Sequence, residues 1–269
     1  MAIADGVAAT AENFNAAFAS KYLTVSSSIT STYSVLTTDQ FLKLSASGGS
    51  FTATLHTAVG YAGKEIYLTR TDQTLANAVT IATTGGQTIG GASTVKLCTQ
   101  YETIALVSDG SNWLVSFRRI PNVLTAYTPT WGASTSNPSI GDGTVSGLWR
   151  RVGECIEAQI EVVMGSTTTY GTGTYTFSLP SGLSIDTSKT LLDTSQTVLP
   201  GGGALFDSSG SAVYDLKPYY SSSTIRVRAW NAAGSFTSQT DLTGTSVVTL
   251  AQSDAIRFIV SVPITNWEG

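Results

Sequence analysis

Ser108–Trp131, SDGSNWLVSFRRIPNVLTAYTPTW, decides how the chain is divided. Asp109-Gly110 is a tight-turn pair, because glycine accepts positive φ without steric cost. Trp113, Val115 and Phe117 then alternate with Leu114, Ser116 and Arg118, the period of a strand with one buried face. Arg118-Arg119 closes that strand with charge. Pro121 lacks a backbone donor and stops further pairing. The stretch therefore reads as the last hairpin of one β-domain, a connector, and the opening of another. Arg118, Arg119 and Pro121 are expected to set the stiffness of the joint.

Composition sets the class. The chain has 269 residues, enough for about two domains at roughly 100–200 residues each. Only 12% are charged, about half the usual ~25%. Disorder would need high net charge and few apolar residues, whereas the net charge is −4 and the apolar share 42%. A membrane helix needs about 20 consecutive apolar residues, and the sequence has no such run, so no membrane insertion is expected. The acidic balance argues against nucleic acid, which selects a basic patch. What remains is a β-rich chain with a hydroxyl and amide surface, suited to extracellular assemblies, fibres, capsid parts and lectin-like modules. Cys98 and Cys155 each sit in an apolar run and read as buried free thiols. The first residues lack the basic and apolar segments of a secretory signal, so synthesis in a cytosol is expected.

Along the chain, 1–24 is an attachment segment, 25–120 a β-domain, 121–127 a connector and 128–269 a second β-domain. Within the first segment, TAENFNAAFASK (10–21) is helix-like: Thr10 caps, and Phe14 and Phe18 share one face. Twelve residues make a marginal helix alone, so the two Phe need a partner. The expectation is a docking or oligomer contact; the alternative is packing on its own domain. Residues 22–38 read as an extended lead-in. Seven short β-runs follow, FLKLSA, SFTATL, EIYLTR, AVTIAT, STVKLCT, ETIALVSD and NWLVSF, separated by turn signals about ten residues apart. Gly85-Gly86 and Gly90-Gly91 mark a sharp corner rather than a phosphate cradle, which would need a strand-to-helix context and a following Lys-Ser/Thr. In the second domain about eight runs, TVSGLWRRVG, CIEAQIEVVMG, GTYTFSLP, ALFDSSG, AVYDLKPYY, TIRVRAWN, SVVTLA and AIRFIVSVPI, favour a two-sheet jelly roll. No clean internal repeat is visible.

The blocks FTATLHTAVGYAGKEIYLTRTD (51–72) and TIGGASTVKLCTQYETIALVSDGSNWLV (88–115) resemble a small β-domain of tail fibres and other virion proteins of tailed bacteriophages. The family pattern runs through a Gly-Lys strand, an Ile-Gly-Gly corner and the Ser-Asp-Gly-Ser-Asn-Trp hairpin; His56 stands where its turn often carries Pro. YTPTWGASTSNPSIGDGTVSGLWRRVGECIEAQIEVVMGSTTTYGTGTYTFSLP (127–180) resembles a C-terminal jelly-roll module of the same kinds of protein. The resemblance implies an all-β virion protein, made in the host cytoplasm and working as a homotrimer. It would join other virion proteins through its N-terminal segment and face its C-terminal β-sandwich outward. Thin β-modules suit this, because shared interfaces bury apolar faces that one small domain cannot.

Chemistry is sparse. His56 is the single histidine, and the sequence lacks a Gly-x-Ser-x-Gly elbow, so no serine triad is expected. One His and two distant Cys do not make a zinc site, and neither metal nor cofactor is expected. Glu154, Glu157 and Glu161 are the carboxylates from which a glycan depolymerase would draw its pair. Their alternation opposite Ile160 and Val162 reads instead as the polar outer face of a strand, and Asp142 reads as a turn residue. Depolymerases also normally carry a long β-helix of regular repeats. No catalytic residue is assigned.

Glycan binding is the remaining candidate, because aromatic rings stack on sugar faces beside polar donors. Trp149, Tyr219, Tyr220 and Trp230 are the candidates, with Arg226, Arg228 and Asn231 near in sequence. Trp149 and Trp230 read more readily as core or trimer-interface residues. Tyr219-Tyr220 follows Pro218 and reads as a surface loop. Three functions compete: a non-enzymatic tail fibre or head fibre/decoration protein, an adhesin for a host surface glycan, and a depolymerase.

Overall fold

A computed structural model describes residues 23–190, 197–221, 224–230 and 239–268. The segment bearing Phe14 and Phe18, and the helix expected there, lies outside these residues. Among the described residues the protein is all-β, with a single 3₁₀ turn at Thr187–Lys189. The chain divides into two compact units, with the main boundary between Arg119 and Ile120 and Thr74–Asn77 grouped with the second unit.

The first unit contains β1 (Val25–Ile29), β2 (Tyr33–Ser34), β3 (Phe41–Leu44), β4 (Phe51–Thr54), β5 (Glu65–Arg70), β6 (Val79–Ala82), β7 (Thr94–Leu97), β8 (Thr103–Ser108) and β9 (Trp113–Arg119). Successive strands alternate between two sheets, one ordered β1-β3-β5-β8-β9 and the other β2-β4-β6-β7. β1, β3 and β5 pair in parallel, as do β2, β4 and β6. The chain thus winds three times around one core, then finishes with antiparallel strands. All seven expected β-runs are strands, and the lead-in adds β1 and β2. Period-2 alternation sends Leu42, Leu44, Ile66, Leu68, Ile104 and Leu106 inward from one sheet. Val79, Ile81, Val95 and Leu97 meet them from the other. The corner between β6 and β7 puts Gly85, Gly86, Gly90 and Gly91 all at positive φ, which side chains with a Cβ resist.

The closing hairpin departs from the alternation expected of it. Trp113 is fully buried and its indole donates to the His56 carbonyl at 3.3 Å. Leu106 pairs with Val115 but Ala105 pairs with Phe117, so Ser116 is an extra, bulged residue. The bulge turns Phe117 outward, 53% exposed, and Arg118 inward. The buried face expected to hold Trp113, Val115 and Phe117 therefore holds Trp113 and Arg118, with Val115 exposed at the sheet edge. Arg118 ties the strand into its own unit through Glu102.

The second unit contains β10 (Thr125–Tyr127), β11 (Trp131–Ala133), β12 (Thr144–Val152), β13 (Cys155–Val163), β14 (Tyr175–Phe177), β15 (Thr197–Val198), β16 (Gly201–Asp207), β17 (Ala212–Ser221), β18 (Thr224–Trp230), β19 (Gln239–Asp241) and β20 (Ala255–Pro263). They form one curled sheet, ordered β10-β12-β13-β20-β16-β17-β18-β14-β11, with β15 on β17 and β19 on β18. All pairings are antiparallel. The two end strands, β10 and β11, are separated only by residues 128–130, which the curl makes possible. The expected connector therefore ends in a strand, since β10 pairs with β12. SVVTLA is not a strand. The Ser246 hydroxyl bonds the local backbone instead, its Oγ accepting from Thr243 N–H at 2.9 Å. Ile156, Ala158, Ile160 and Val162 of β13 face Ile256, Phe258, Val260 and Val262 of β20 on the inner side. Edge-to-face rings close the core, Trp131 on Tyr175 at 5.1 Å and Phe177 on Phe258 at 4.9 Å. Cys98 is buried, whereas Cys155 is half-buried, short of the burial expected; both are free thiols.

Candidate functional site

The outer face of β12, β13, β20 and β16 follows from strand register. Leu148, Gln159, Ile259 and Gly202 form one row across it; Ser146, Glu161, Arg257 and Ala204 form the next. Because Gly202 and Ala204 present almost no side chain, β16 becomes the floor of a trough of about 530 Å³. Its walls offer the Gln159 amide, the Ser146 hydroxyl and the Glu161–Arg257 ion pair. Arg257 also stands over the Phe206 ring at 5.2 Å. Apolar Leu148 and Ile259 lie between these polar groups. A mixed, shallow surface of this kind fits a flat polar ligand with one apolar side.

The glycine run Gly201–Gly203 shapes this floor unevenly. A Cβ at Gly203 would run into the Arg257 carbonyl oxygen and the Phe258 backbone, so close strand packing requires glycine there. A Cβ at Gly202 meets nothing nearer than the Lys217 ammonium at 3.6 Å and would stand in the trough.

Trp149, Tyr219 and Tyr220 are not brought together. Trp149 is half-buried on the inner face of β12, its ring 6.4 Å from Trp267. The loop reading of Tyr219-Tyr220 is corrected: both are in β17. Tyr219 is 2% exposed, and the Arg228 guanidinium lies 4.3 Å from its ring centre, on the face a sugar would need. Burial, with the Asp241 carboxylate adding to it, pushes the Tyr219 hydroxyl up to about 12. Asp241 accepts from Arg228 Nε at 2.8 Å. Tyr220 points to the other face, beside Ile225, and lines a second concavity of about 670 Å³ with Ser178, Pro180, Ser184 and Thr224. Trp230 ends β18, and its side chain lies outside the described residues.

The carboxylates are each engaged. Glu154 pairs with Lys189 at 2.6 Å, Glu157 with Arg150 at 2.9 Å, and Glu161 with Arg257. Asp142 accepts from Thr167 N–H at 2.8 Å, Thr167 Oγ at 2.9 Å and Ser166 Oγ at 2.7 Å, which holds its carboxyl down at about 2. His56 packs edge-on to Tyr61 at 4.9 Å and Trp113 at 5.2 Å. Among the described residues no group of His, Cys, Asp and Glu could hold a metal ion, and no helix is long and apolar enough to cross a membrane.

The trough was not legible from periodicity. Its floor comes from the juxtaposition of β16 with β20, which are distant in sequence; the Gly201-Gly202-Gly203 run was its one local signal. No protein-family model matches the chain, and no curated protein is significantly similar to it.

Proposed function

We propose that this chain is a non-enzymatic structural protein of a tailed-bacteriophage virion. It acts as a trimeric tail fibre or head fibre/decoration protein, held to the particle through its N-terminal segment and displaying a jelly-roll-like C-terminal β-sandwich. The resemblance of 51–72, 88–115 and 127–180 to such proteins motivates the reading. The curl, which lets the two end strands of the second unit's sheet be neighbours in sequence, supports the sandwich. The observation that carries self-association, without fixing the number of copies, is the outer face of the first five-stranded sheet. There Val25, Phe41, Tyr67, Ala105 and Phe117 stand in one register row across all five strands. A contiguous apolar row on a monomer marks a contact surface.

Two measurements test this. Removing residues 1–22 should leave the strand spectrum unchanged yet abolish incorporation into particles; normal incorporation would refute N-terminal attachment. Light scattering of the full chain should return the mass of a trimer or a multiple of it, and a monomer at micromolar concentration would refute the assembly.

The trough favours a second reading, an adhesin for a host surface glycan. Gly202→Leu fills the trough without entering the core, and Tyr220→Ala opens the other concavity. Loss of glycan-array binding in either variant, with the fold intact, would establish this reading. Absence of any binding by the wild type would leave a decoration role. A depolymerase would degrade host polysaccharide and lose that activity on Glu157→Gln.

A further inference from the structure

The apolar row of the first unit has a rim of opposite charge on its two sides. One residue pair further along the strands, Lys43 of β3, Thr69 of β5, Thr103 of β8 and Arg119 of β9 occupy the same outward face. On the other side of the row stand Glu65 of β5, Val107 of β8 and Leu114 of β9. The face is thus basic, then apolar, then acidic and apolar, in that order along the strands. Val25 and Phe117 at its two ends are 58% and 53% exposed. Between them Phe41 stacks on Tyr67, with ring centres 6.2 Å apart. The Ser116 bulge belongs to this arrangement: without the extra residue, Phe117 would not share the face of Ala105.

We propose that this face binds the same face of a second copy of the chain, turned over about an axis parallel to the apolar row. That operation lays the row of one copy along the row of the other. It also brings the Lys43/Arg119 rim over the Glu65/Leu114 rim in both directions at once. Stacking with the rows at equal height and the strands parallel would instead set basic rim on basic rim. Complementary rims set register and partner choice, while the apolar row supplies the buried area. The proposal rests on the reading of the chain as an assembling protein, and it adds an even-numbered contact. In a trimeric protein this contact joins one trimer to another.

The mass of the full-length chain over a concentration series tests it. Six-chain particles, pairs of trimers, are expected. Phe117→Glu should raise the dissociation constant of the paired state by about tenfold or more. Glu65→Lys and Lys43→Glu should each weaken pairing, and the two together should restore it; both positions are outside the core, so the swap stays readable if Phe117→Glu fails to fold. Two-chain particles sensitive to these changes would support this contact and overturn the trimer. Three-chain particles indifferent to all of them would overturn this contact and leave the trimer standing. A double swap no better than either single change would overturn the turned-over mating.

Discussion

Arg118 Nη2 lies 2.8 Å from Glu102 Oε1, and the Glu102 side chain is wholly buried. The same carboxylate accepts from Cys98 N–H at 2.7 Å and Thr99 N–H at 3.2 Å, and Arg118 also donates to the Lys96 carbonyl at 3.0 Å. This network ties the end of β9 to the turn that opens β8 and to β7. Arg118→Ala leaves a buried charge short of its cation and is expected to cost about 3–5 kcal/mol. Urea unfolding followed by the fluorescence of buried Trp113 measures it. Adding Glu102→Gln should recover part of the loss, and a strictly additive double variant would argue against a coupled pair.

Tyr219 and Tyr220 are expected to behave oppositely although adjacent. Tyr219→Ala removes a buried ring and its guanidinium contact and should destabilise the second unit by about 3 kcal/mol or more. Tyr220→Ala, at a half-buried position, should cost clearly less. Thermal melts of both variants decide this; equal losses would count against the burial described for Tyr219.

The glycine floor makes a paired prediction. Gly203→Ala forces β16 away from β20 and should cost about 1–3 kcal/mol. Gly202→Ala should change stability by no more than about 0.5 kcal/mol. Equal effects would show that the trough floor is not set by this packing.

Stability should fall at both pH extremes for identifiable reasons. Asp142 has its carboxyl lowered from 3.8 to about 2 by hydrogen bonds from Ser166 and Thr167. Its contribution is complete above the unfolded value and is lost as pH falls through about 2. Tyr219 is raised from 10.0 to about 12, so its contribution is complete below the unfolded value and is lost as pH rises through about 12. Denaturation midpoints across pH should show the acid slope reduced in Asp142→Asn and the alkaline slope reduced in Tyr219→Phe. Unchanged slopes would remove these groups as the cause.

Much of the fold was legible in local pattern. The runs FLKLSA, EIYLTR and ETIALVSD alternate with period 2, and their inward positions are the core of the first unit. CIEAQIEVVMG likewise places Ile156, Ala158, Ile160 and Val162 inside and its glutamates outside. A buried face repeats every second residue, so short sequence windows carry that information. The parallel winding was not legible. Val25, Phe41 and Tyr67 stand side by side at unequal intervals, so no repeat length betrays the pairing. The candidate site was less legible still, since Gln159, Arg257 and Gly202 meet through three strands distant in sequence.

The stretch from Ser108 to Trp131 divides along the same line. Local chemistry determined its turn, because Asp109 accepts from Ser111 and Asn112 N–H groups at 2.7 and 2.6 Å, and Gly110 takes the positive φ the turn needs. Local chemistry also determined that Trp113 is buried. Only the tertiary structure decided which way Phe117 and Arg118 face, because a bulge exists only relative to the strand it pairs with. Here the partner strand β8, with Glu102 just before it, draws Arg118 inward and leaves Phe117 on the outer face.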